Sequence, residues 1–186
     1  MGEKMKRRTI IFIVILAIVA GLVIWLLRWM SGGFSAREQP SALEAFLART
    51  SLSLSMPSNA REAKNPFTAN HDVLRGARNR YEDNCALCHA NDGSGLTDVG
   101  KNLYPKPPDL RGKRVQNLTD GELYYIIHNG IRLTGMPAWG KPRNDSESWK
   151  YVLFIRELPK LTDSAIQQMN DANPEGESRG TESTNH

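Results

Sequence analysis

The sequence predicts an all-α protein: one N-terminal membrane-spanning helix, then a small helical domain wrapped round a large internal group. Three observations predict this. Residues 10–27 form an uncharged apolar run of 18 residues. Downstream, apolar residues recur at helical spacing and no alternating strand pattern is present. The two cysteines of the 186-residue chain lie three apart, and a histidine directly follows the second.

The N-terminal element comes first. About 20 apolar residues cross a bilayer core, so IIFIVILAIVAGLVIWLL is long enough to span. Trp25, Arg28 and Trp29 sit at its far end as interfacial anchors, and Lys4, Lys6, Arg7 and Arg8 precede it. The positive-inside rule puts the N-terminus in the cytoplasm and the rest outside. A cleaved signal peptide is the competing reading, with Ser31-Gly-Gly33 as a weak cleavage site, but the apolar run is too long for one. Five of the 24 Lys/Arg and one of the 20 Asp/Glu lie within residues 1–30, so the remainder is neutral. The formal charge of +4 therefore belongs to the membrane flank, and no nucleic-acid surface is expected.

Four stretches follow from composition: an anchor at 1–30, an extracytoplasmic connector at 31–70, a compact domain at 71–162 and a disordered acidic tail at 163–186. The connector holds a short amphipathic helix, SALEAFLART, opened by the capping-box pair Ser41 and Glu44. Its stripe of Leu43, Phe46 and Leu47 is expected to rest on the protein's own domain, with a partner subunit or lipid as alternatives. A fully flexible connector would reach about 35 Å. The tail carries five acids and one arginine.

In the domain, Val73, Ala77, Tyr81 and Cys85 recur every four residues, predicting one helix that ends at the cysteine motif. LTDGELYYIIHNG opens on the capping box Thr119/Glu122 and closes at Gly130. ESWKYVLFIREL places Trp149, Val152, Leu153 and Arg156 on one stripe, and Pro159 stops it. The Gly/Pro-rich stretch between the first two helices predicts a long irregular loop. Such loops need something to pack on, and a domain of this size has a limited core.

The cysteines identify that something. Cys85-Ala-Leu-Cys88-His89 is a C-x-x-C-H motif, the attachment signature of c-type haem. On a helix, positions i, i+3 and i+4 share a face, so two thioethers and an imidazole can meet one macrocycle. A disulfide between Cys85 and Cys88 would close almost no loop. Zinc would need further ligands, for which only His71 and His128 are near, and a thioredoxin-like pair would need a βαβ pattern.

Haem iron ligated by His89 has a sixth position to fill. Met136, between Gly135 and Pro137 and following a helix, is the candidate, since a thioether favours ferrous iron. Met56, also before a proline, lies in the connector and is read as a decoy. His128 in the last turn of its helix is read as a dipole partner, with iron ligation as the sharper alternative. His71 and His186 are read as surface residues. In YPKPPDLRG, the carbonyl of Pro108, or else Pro107, is expected to accept the Nδ1–H of His89, with Leu110 packed on the porphyrin.

These pieces together resemble a class I c-type cytochrome of the single-haem, membrane-anchored bacterial kind. The resemblance rests on NPF, LRGARNRYEDNCALCH, PPDLRG, LTDGELYYIIHNGIRLTGMPAWG and WKYVLFIRELPKLT, in that order over residues 65–162. It implies a small class I cytochrome c fold round one covalent haem c, with the first helix at Ala77 and Tyr81 crossing the last near residues 149–154. Ala90 stands where the family often has glycine, and Ala77 likewise, with Gly76 one place early. The implied function is single-electron transfer between membrane or periplasmic redox partners, most naturally an integral respiratory complex of the bacterial inner membrane, with no reaction catalysed by the domain itself. The competing readings are a haem enzyme or gas sensor with an open sixth position, and a subunit whose haem only orders the fold.

Overall fold

The computed structural model describes residues 2–31, 35–141 and 145–178. Every regular element among them is helical. The chain divides into two units at residue 35. The first is helix α1, Gly2–Ser31. Its candidate span, Lys6–Arg28, is 23 residues long and contains an 18-residue window of mean hydropathy 3.3, none of it buried within the protein. Thirty residues of helix rise about 45 Å, enough to cross a bilayer. The anchoring side chains expected at Lys4 and Trp29 lie outside the described set.

The second unit begins with α2, Ala42–Ser55, and α3, Ser58–Glu62. Ser41 caps α2 by accepting from the Glu44 N–H at 3.2 Å. The expected stripe does not rest on the domain: Leu43, Phe46 and Leu47 point to solvent, and α2 turns its other face inward. That inner face is built from Arg49, Leu52, Ser53 and Met56, which follow the same 3–4 spacing but mix polar and apolar residues.

The first domain helix breaks where one continuous helix was predicted. Helix α4, His71–Asn84, ends at Cys85, and a single turn, α5, Ala86–His89, restarts there. Two further short turns follow, α6 at Asp98–Lys101 and α7 at Lys113–Gln116. Helix α8, Asp120–Asn129, has both bonds of the predicted capping box and ends at Gly130 with φ 65°. Helix α9 runs Ser146–Glu157 and passes into a 3₁₀ turn containing Pro159.

Helix α4 packs across α9, as the resemblance implied. Ala77 and Tyr81 are fully buried, and the Tyr81 and Phe154 rings lie 5.0 Å apart at 53°, a favourable tilted geometry. On the α8 side, Tyr124 stacks on Trp149 at 4.2 Å. The core collects Leu110, Val115, Leu123, Ile127, Val152, Ile155 and Leu158 around these contacts.

The tail differs from expectation. Residues 163–172 form helix α10, Asp163–Ala172, capped by Thr162, and a 3₁₀ turn follows at Pro174–Gly176. Met169 is fully buried, and Asn173 donates to the Glu82 carbonyl at 2.9 Å. The Asn91 N–H donates to the Gly176 carbonyl at 2.6 Å. The acidic composition hid a short apolar face carried by Met169, so the domain continues past residue 162 to at least 178. Residues 179–186 lie outside the described residues.

Candidate cofactor-binding site

The break at Cys85 shapes the site. Cys85 (φ −114°, ψ −37°) is at once the C-cap of α4 and the N-cap of α5. The N–H groups of Cys88 and His89 both bond to its carbonyl, at 3.1 and 2.9 Å. One tight turn therefore brings Cys85, Cys88 and His89 to the same cavity, of about 360 Å³. Met136, Pro108 and Leu110 line that cavity too, as do Tyr81, Ile127 and Ile155.

Burial governs the protonation of the motif. It pushes the Cys85 thiol up to about 12, aided by Cys88, and raises Cys88 as well. Burial also takes the His89 imidazole down to about 4, with the Pro108 backbone acting in the opposite direction. His89 is thus neutral at physiological pH, with a ring nitrogen lone pair free for a metal. Its buried Nδ1 lacks a hydrogen bond of regular geometry, although the Pro108 backbone is near enough to act on the ring.

The loop carrying Pro108 and Leu110 is pinned from several sides. Leu110 N–H donates to the Gly93 carbonyl at 2.8 Å, and Gly95 N–H to the His89 carbonyl at 2.8 Å. Gly95 has φ 77°, and a methyl there would run into the Pro107 carbonyl. Arg111 bridges Asp92 at 3.0 Å and Asp109 at 2.9 Å. That bridge joins the residues just after His89 to the proline loop.

The methionine loop is held by its backbone. Ile131 N–H donates to the Met136 carbonyl at 3.1 Å, and Trp139 N–H to the Ile127 carbonyl at 3.1 Å. Met136 N–H bonds Thr134 Oγ1 at 3.1 Å. His128 is not part of the cavity lining. Its Nδ1 lies 2.6 Å from Asp145 Oδ2 and 3.3 Å from the Tyr124 hydroxyl. His71 is exposed beside Asp72, and His186 lies outside the described residues. No group of three His, Cys, Asp or Glu side chains placed to hold a metal ion together occurs among the described residues.

Sequence reasoning missed one wall. Arg49, Leu52, Ser53 and Met56 line the same cavity, and Met56 is only 8% exposed. Met56, read as a decoy because of its place in the connector, is a buried residue of the site. The repeated Met-Pro pair was the available signal.

Comparison with known families bears on this geometry. Residues 72–155 match the family model of cytochrome c oxidase, cbb3-type, subunit III. This domain is a class I c-type cytochrome. The chain is also similar to the cbb3-type cytochrome c oxidase subunit CcoP of Azospirillum brasilense, with 31% identity over 78 residues. That match covers 42% of this chain and 26% of the relative, so the chain spans about a quarter of that protein's length. Cytochrome c domains hold haem c, and the residues present here suit it. A largely apolar cavity is flanked by two thiols at attachment spacing, a neutral buried imidazole and a thioether.

Proposed function

We propose that this protein is a membrane-anchored monohaem cytochrome c. It carries single electrons between a membrane or periplasmic donor and an acceptor in a respiratory-type chain. The observation that carries the reading is the convergence of Cys85, Cys88, His89 and Met136 on one apolar cavity within a cytochrome domain. When bound, haem c supplies an iron that alternates between the ferrous and ferric states. Cys85 and Cys88 would hold it through thioethers, and His89 and Met136 would ligate its iron. Leu110 would pack against it. The Pro108 backbone lies near enough to act on the His89 ring, and with the haem in place its carbonyl would accept from Nδ1 and orient the ring, as partners of metal-bound histidines do.

Fixed ligands and a packed cavity suit a carrier rather than an enzyme, because nothing needs to open for an electron to pass. Arginines and lysines at the start of α1 favour a cytoplasmic N-terminus, with the haem domain in the periplasm. The likeness to a terminal-oxidase subunit favours an integral membrane respiratory complex as the partner, with this chain as an electron-transfer subunit or tethered donor.

The test is the optical spectrum of the full chain, made in a host that attaches haem c. Wild type should show low-spin haem and, when ferric, the weak red band of an iron–thioether bond. Met136→Ala should lose that band, and Met56→Ala should keep it. A high-spin wild type, or one that shifts on adding carbon monoxide, would reject the carrier reading in favour of an open iron.

A further inference from the structure

The strap formed by α2 and α3 precedes the 72–155 span that matches the cytochrome family, yet it is seated tightly on the domain. Glu44, near the start of α2, lies close enough to Tyr104 to raise its phenol pKa. Tyr125 donates to the Ser55 carbonyl at 3.3 Å near its end. Arg61 of α3 bonds the Ser53 carbonyl and reaches Glu122 of α8 at 3.4 Å. Thr119 Oγ1 donates to the Arg61 carbonyl at 2.9 Å. Gly121 of α8 lies so close under α3 that a methyl there would strike the Ala60 carbonyl. The strap thus runs from the proline loop to α8, with Arg49, Leu52 and Met56 facing the cavity.

The charges of that cavity are unbalanced. Three cations line it, Arg49, Lys106 and Arg114, against one acid, Glu122. Glu122 is already engaged by Arg61 and by the Thr119 N–H at 2.8 Å. None of the three cations has an ion pair or hydrogen bond among the described residues. Haem brings two carboxylates. An arginine fork is the side chain best matched to a carboxylate.

We propose that the strap completes the haem site, with Arg49 pairing a haem carboxylate and Met56 keeping water from the macrocycle. The inference rests on the haem reading given above. A cation beside the haem favours the reduced state, which carries one more negative charge, and a dry surround raises the potential in the same sense. Both residues are therefore positioning residues that tune the carrier from outside the matched domain.

The experiment is a redox titration of the full chain in detergent, with haem content measured on each sample. Arg49→Gln should lower the midpoint potential, and Arg49→Lys should recover most of the loss. Arg75→Gln, at an exposed position of α4 where Arg75 pairs with Asp72, should leave the potential at the wild-type value. Met56→Ala should lower the potential and speed reduction by a small hydrophilic reductant. Wild-type protein without covalent haem would reject the haem reading itself. Haem-loaded Arg49→Gln and Met56→Ala with wild-type potentials would overturn the strap proposal alone. Arg49 is exposed, so its variants test the idea even if Met56→Ala fails to fold.

Discussion

The Tyr81 hydroxyl donates to the carbonyl of Ala90 across 2.9 Å, both residues being fully buried. This bond ties α4 to the backbone one residue beyond His89. Burial raises the phenol's pKa well above its usual value, so Tyr81 stays a donor at all working pH values. Tyr81→Phe would keep the ring against Phe154 but orphan a buried carbonyl. The expected cost is about 1–3 kcal/mol in chemical denaturation. A variant as stable as wild type would show that the bond contributes nothing net.

Ala90 itself is held at φ 64°, ψ 158°, a conformation that strongly favours glycine. The strain of an L-residue there is of order 1–3 kcal/mol. Ala90→Gly would relieve it while losing a buried methyl, about 0.8 kcal/mol, and gaining unfolded-state entropy worth about 0.5–1 kcal/mol. The opposing effects nearly cancel, so the variant should lie within about 1 kcal/mol of wild type. Ala77→Gly, inside α4 and equally buried, has no strain to relieve. It should lose about 2 kcal/mol from helix propensity and the methyl together. Equal losses at the two sites in thermal melts would refute this account of Ala90.

Much of this architecture was legible in the chain because the informative patterns are local. The apolar run of α1, the Thr119/Glu122 box and the C-x-x-C-H spacing each occupy a few consecutive residues, and each fixes its own geometry. What was not legible depends on contacts across the chain. The break at Cys85 has no glycine or proline to announce it. The inward turn of α2 opposes its own hydrophobic stripe, because Arg49 and Met56 face a cavity suited to a charged and apolar group. The order of residues 163–178 depends on Asn91, Asn170 and Asn173, a polar network that composition reads as disorder.

That network sets a test at Met169. A disordered tail would tolerate any substitution there. In the structure Met169 is fully buried in the core cluster, so Met169→Ala should cost about 2–5 kcal/mol. The damage should extend to the haem motif, because α10 leads into the turn whose Gly176 carbonyl receives the Asn91 N–H. Hydrogen exchange at Asn91 should speed up in the variant. An unchanged melt with unchanged exchange would mean that residues 163–176 are not part of the cooperative unit.

Asp145 makes part of this domain's stability depend on pH. The Asp145 side chain is 2% exposed and caps α9 through the Ser148 N–H at 3.2 Å. Burial pushes its pKa up, but the bonds from Ser148 and His128 outweigh this and hold it below the ordinary carboxylate value of 3.8. A carboxylate with a depressed folded-state pKa contributes stability that is complete above its unfolded value. That contribution is lost as pH falls through the folded value. Asp145→Asn keeps the cap on α9 but removes the charge facing His128. It should cost about 1–2 kcal/mol near neutral pH, allowing for the partial exposure of the imidazole. The gap between variant and wild type should close as pH drops below 3.8, where Asp145 protonates in the wild type. Urea denaturation across a pH series reads both quantities. A gap that stays constant through this range would show that the ionised carboxylate is not what Asp145 contributes.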